Sequence, residues 1–101
     1  MATADVKALH QEELLLNAHA IAREDFSLVT RPSVEEAMVD LKVDIPDVIN
    51  VLRTCHTVTM NFAEWPCAEY HGRTSDGDPL VVVAVIHKPE KTVKILKVWK
   101  G

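Results

Sequence analysis

At 101 residues, 48% of them hydrophobic and 26% charged, the chain has the size and make-up of one folded domain, residues 1–101. A second domain does not fit, disorder is excluded by composition, and the longest apolar run, residues 80–86, falls far short of the roughly 20 residues of a membrane-spanning helix. The net charge of −4 is uneven: residues 1–50 carry four basic and ten acidic side chains, residues 51–101 seven basic and five acidic. The second half is therefore the place for an anion-attracting surface, unless the first half simply has solvated acidic faces.

Thr3 or its neighbour starts a first helix, with Asp5 well placed for the helix dipole. Val6, Leu9, Leu16 and Ala20 keep to one stripe, broadened by Leu14 and Leu15, as far as about Arg23. Residues 26–30 break the pattern, and Pro32 confirms the break. Ser33-Val34-Glu35-Glu36 has the form of a capping box, and Val34, Ala37, Met38 and Leu41 follow at helical spacing. A second helix capped by Ser33 is predicted. Asp44-Ile45-Pro46-Asp47 opens a third, with Pro46 in its first turn and Val48, Val51 and Leu52 inward.

After Arg53 the period changes to two. Val58, Met60 and Phe62 alternate with Thr57, Thr59 and Asn61 as a half-buried strand, which Trp65-Pro66 interrupts. Residues 67–73 form a second strand, ended by the turn Ser75-Asp76-Gly77-Asp78-Pro79. Residues 80–87 are apolar on both faces and read as the central strand. Lys88-Pro89-Glu90-Lys91 is a hairpin turn, and Thr92–Lys100 is the last strand. Short connections favour an antiparallel meander. The predicted fold is α+β, with N-terminal helices packed on a C-terminal four-stranded antiparallel sheet.

Alternation puts Glu69, His71 and Arg73 on one face of the second strand, roughly 7 Å apart in turn, and Ala68, Tyr70 and Gly72 on the other. A carboxylate, an imidazole and a guanidinium in a row can supply a base, an acid and a cation, the groups that RNA cleavage by the ribose 2′-hydroxyl needs. The plain alternative is a polar, solvent-facing strand. The last strand has no clean face, which points to a bulge. Lys97 among apolar neighbours is either functional or snorkelling to water, and Lys100 is a phosphate contact or a solvated terminus. His19 and Arg23, four apart on the first helix, reach the sheet or form a surface ion pair near Glu24.

Cys55 and Cys67, in a chain whose start has neither the basic residues nor the apolar stretch of a signal peptide, read as reduced core thiols of a cytoplasmic protein. Cys67 and His71 stand alone at ligand spacing, and no Gly-rich phosphate loop is present. No metal and no cofactor are predicted.

The order of parts resembles a known family. Thr30-Arg31-Pro32-Ser33 leads into Glu36-Ala37-Met38-Val39-Asp40-Leu41 and then Asp44-Ile45-Pro46-Asp47-Val48-Ile49-Asn50-Val51-Leu52. A strand ending in Met60, the pair Trp65 and Tyr70, the strand at 80–87 and a terminal Val98-Trp99-Lys100 follow. This is similar to the motility quorum-sensing regulator toxins, which are mRNA interferases. His19-Ala20-Ile21-Ala22-Arg23, Tyr70-His71-Gly72-Arg73 and Asp76-Gly77 also look like a related uncharacterised family. Both fall with the RelE and barnase types of small ribonuclease. The family's lysine near Thr57 to Thr59 and its glutamine near Pro66 or Cys67 are absent, whereas Tyr70 and Trp99-Lys100 match.

The resemblance implies a metal-independent endoribonuclease, acting on free or ribosome-bound RNA and held in check by a cognate antitoxin protein. Arg73 and Lys100 would then stabilise the phosphate, His71 or Tyr70 move protons, and Glu69, Lys97, His19 and Arg23 contact substrate. The convergence expected is Tyr70, His71, Arg73 and either Lys97 or Lys100 around one phosphate. The other reading is a non-catalytic interaction protein that binds a partner through its acidic helical face or a sheet edge. The pI of about 5.7 favours this second reading, because phosphate contacts supply most nucleic-acid affinity.

Overall fold

In the computed structural model the described residues are 3–60, 67–87 and 89–101, apart from the side chains of residues 3–11 and of Met60. The order is α1 (Thr3–Ile21), β1 (Ser27–Val29), α2 (Pro32–Leu41), α3 (Ile45–Thr54), β2 (Thr57–Met60), β3 (Ala68–Arg73), β4 (Pro79–His87) and β5 (Thr92–Lys100). The strands form one sheet in the order β1-β5-β4-β3-β2, with β4 in its centre as its two-sided apolar pattern requires. Phe62, the Trp65-Pro66 interruption and Lys88 lie outside the described residues.

The fold is α+β, but the sheet has five strands and is mixed, not four-stranded and antiparallel. β2 through β5 pair antiparallel, while β1 lies parallel to β5 with Leu28 opposite Val93. Residues 26–30 do break the helical pattern, yet the break is itself a strand. Three residues are too few for alternation to register in the sequence, and a parallel partner lies a long crossover away.

The start of α2 also differs from expectation. Its N-cap is Arg31 in extended backbone (φ −109°, ψ 158°), with no side-chain cap, and Ser33 falls inside the first turn. Pro32 explains the shift. Its ring disfavours helical backbone at Arg31 and presets its own φ for the first helical residue. α2 closes at Lys42, whose left-handed backbone (φ 59°) aims its N–H at the Met38 and Val39 carbonyls. α3 starts on a true capping box, with Asp44 N–H donating to Asp47 at 3.0 Å and Asp47 N–H to Asp44 at 3.3 Å.

All three helices pack on one sheet face: α2 against β5, α3 against β3 and β4, and α1 against β2 and α3. The core between the layers holds Val34, Met38, Val48, Val51 and Leu52 from the helices and Tyr70, Leu80, Val82, Val93, Ile95 and Val98 from the strands. α3 also secures the β3–β4 turn, because Asn50 Nδ2 donates to the Arg73 and Thr74 carbonyls, both at 3.0 Å. Gly77, at φ 90°, supplies the left-handed residue that this turn needs. No described helix is long and apolar enough to cross a membrane.

The expected irregularity of β5 is a bulge. Val83 pairs with Lys97 and Ala84 with Ile95, which leaves Leu96 as the extra residue. The bulge resets parity, so Val93, Ile95 and Val98 all point into the core, and Lys97 and Trp99 turn to the other face.

Candidate functional site

Cross-strand register lays out the sheet face turned away from the helices as a grid. One row reads Thr57, His71, Val81, Trp99 and the next Thr59, Glu69, Val83, Lys97. Neighbouring strands are roughly 4.8 Å apart, so the β3 and β5 side chains of a row stand about 10 Å apart with a β4 valine between them. Val81 and Val83 are only 2% and 7% exposed, flanked by longer side chains on both sides. The result is a trough with an apolar floor, an imidazole and a carboxylate on one wall, and a lysine and an indole on the other.

Within the first wall, His71 Nε2 lies 3.7 Å from Glu69 Oε1 and 3.5 Å from Thr59 Oγ1. The His71 and Glu69 side chains are 34% and 32% exposed, open enough to meet a substrate. The Glu69 carboxylate and the Thr59 hydroxyl together orient the ring. The arrangement can accept a proton on Glu69, donate one from His71 and neutralise an anion at Lys97.

The other predicted site residues do not converge there. Tyr70 faces the helices, is fully buried, and has a hydroxyl without a hydrogen-bond partner. Burial pushes that hydroxyl well above its ordinary pKa, and the Cys55 and Cys67 thiols add to the shift. It has no path to a substrate. Lys100 pairs with Leu80 and so also turns to the helix side, where it lines a cavity of about 520 Å³ with Asp40, Asp47, Asp76 and Asp78. The cavity it lines is rich in this protein's own carboxylates. Arg73 is on the trough face but one step beyond His71, and its guanidinium donates to the Gly77 carbonyl at 2.9 Å, bracing the turn.

His19 reaches α3 instead of the sheet. Its Nε2 lies 2.7 Å from the Cys55 carbonyl oxygen, and since a carbonyl only accepts, that nitrogen carries the proton. Arg23 is exposed in the turn after α1 ends at Ile21, so the two do not act together. Cys55 and Cys67 are both buried, and burial pushes the Cys55 thiol up to about 11. Among the described residues no three His, Cys, Asp or Glu side chains are grouped to hold a metal ion.

Thr59 is a site residue that the sequence did not single out, and Trp99 was marked there only by the family resemblance. Trp99 shared parity with Lys97 in the sequence, but only the bulge reveals that both lie opposite Glu69 and His71. No family model, curated protein or solved structure matches this chain. The class that the fold and site define is thus an α+β domain with a charged trough on the sheet face turned away from its described helices.

Proposed function

We propose that the chain is a metal-independent endoribonuclease that takes single-stranded RNA along the sheet trough. The observation that carries this reading is the His71–Glu69 pair, 3.7 Å apart, facing Lys97 across an apolar floor. Glu69 removes the proton from the ribose 2′-hydroxyl, and the freed oxygen attacks the adjacent phosphorus. The bond from phosphorus to the 5′-oxygen breaks, and His71 protonates that oxygen as it leaves. Lys97 holds the phosphate as negative charge builds on it, a role for which a water-poor floor is favourable. The products are a 2′,3′-cyclic phosphate and a 5′-hydroxyl end.

The test is cleavage of a long mRNA in EDTA by the wild type, His71→Ala and Lys97→Ala. Each variant should lose roughly 100-fold or more in rate while keeping its fold. Equal rates in all three would reject the site.

A non-catalytic partner-binding role is favoured by one observation on the opposite layer. Val39 is 75% exposed beside Glu35, Glu36 and Asp40 on α2, an apolar side chain in an acidic setting. This surface suits a basic segment of a partner protein.

A further inference from the structure

Four clefts on the described surface differ sharply in charge. One holds Asp40, Asp47, Asp76 and Asp78 beside Lys42 and Lys100, a second Glu35, Glu36 and Asp40, and a third Glu12 beside His56. The fourth, about 330 Å³ between the start of α2 and the bulged part of β5, is lined by Arg31, Ser33, Leu96, Lys97 and Trp99 over a floor that includes Val34, with no carboxylate in its lining. On a chain of net charge −4, a cleft that holds two cations and no carboxylate in its lining favours an anion. Trp99 is 38% exposed and lines this cleft, where an indole can stack a flat partner.

The backbone adds to this. β1 pairs only with Thr92, Val93 and Lys94, so among the described residues no strand covers residues 95–100 on that edge of β5. The first turn of α2, which begins without a side-chain cap, borders the same cleft at Arg31 and Ser33. The volume is at the small end of the roughly 300–1,000 Å³ typical of ligand sites, a fit for one nucleotide unit.

We propose that this cleft is a nucleotide subsite. A phosphate sits between Arg31, Lys97 and the first turn of α2, and a base stacks on Trp99. Lys97 belongs to both trough and cleft, so a strand cut at His71 has its neighbouring nucleotide held here. That continuity rests on the ribonuclease reading, whereas binding of a single nucleotide does not. Arg31 is suited to the phosphate because its planar fork grips two oxygens, and stacking is tolerant of base identity.

The experiment is a titration of the full ¹⁵N-labelled chain, followed by NMR, with adenosine 5′-monophosphate, adenosine and inorganic phosphate in separate arms. The nucleotide should shift the Trp99 indole and the Ser33 amide together. Adenosine should shift the indole more weakly, and phosphate the amide alone. Arg31→Ala, at an exposed position, should weaken nucleotide binding about tenfold or more, while Lys42→Ala in the acidic cavity leaves it unchanged. An unmoved Trp99 indole at millimolar nucleotide, or wild-type affinity in a folded Arg31→Ala, would overturn the subsite. Nucleotide binding in a protein that cuts no RNA would keep the subsite and remove the nuclease reading. Cleavage without nucleotide binding would do the reverse.

Discussion

Gly72 lies directly under Val51: a Cβ built on Gly72 would stand 2.5 Å from the Val51 carbonyl oxygen and 3.1 Å from its Cα. The contacted atoms are backbone of α3, so no rotamer change can relieve the clash. Gly72→Ala should therefore cost about 1–3 kcal/mol and, by displacing β3, also perturb Glu69 and His71. Urea denaturation measures this, and an unchanged midpoint would mean that α3 does not sit so closely on the sheet.

Tyr70 has a core role in this account. Its hydroxyl is buried without a partner, a state that costs about 1–3 kcal/mol, so Tyr70→Phe should hold or raise stability by about 1 kcal/mol. RNA cleavage should be unaffected. A large drop in rate with the fold retained would return Tyr70 to the site.

Asp47 ties two loops together. It caps the start of α3 with Asp44, and its other oxygen accepts from Ser75 N–H at 3.0 Å in the β3–β4 turn. Backbone hydrogen bonds at Asp44 and then Ser75 hold its carboxyl below the ordinary 3.8, against the raising effect of burial. A depressed folded-state pKa means stability that is present above 3.8 and lost as pH falls through the lowered value. Asp47→Ala should thus be about 1–2 kcal/mol less stable than wild type near pH 7, with the gap narrowing in acid below that point. A gap independent of pH would exclude an ionised Asp47 as the cause.

Much of this fold was legible because single residues carry strong local signals. The two-sided apolar run at 80–87 marked the sheet centre, the Asp44 and Asp47 pair marked α3, and strand parity put Glu69 and His71 on one face. β1 was not legible, since three residues have no measurable period and their partner lies some sixty positions away. Ser33 misled because its capping-box spacing competes with Pro32, and the ring's geometry fixed the N-cap two residues earlier, at Arg31. Lys100 misled for a different reason. Its side of the sheet depends on the two residues, Leu96 and Lys97, that separate the core-facing Ile95 and Val98 where a regular strand has one, a spacing explained only once the bulge is known to be at Leu96. The site was accordingly half visible: the β3 wall followed from alternation, and the β5 wall required register.

The central claim is that Glu69, His71 and Lys97 form one RNA-cutting site, and its most direct measurement is the rate of mRNA cleavage in EDTA. Wild-type protein should cut, leaving cyclic phosphate and 5′-hydroxyl ends, and folded His71→Ala should be roughly 100-fold or more slower. Folded wild-type protein that cuts nothing, or a His71→Ala variant that cuts as fast, would contradict the account.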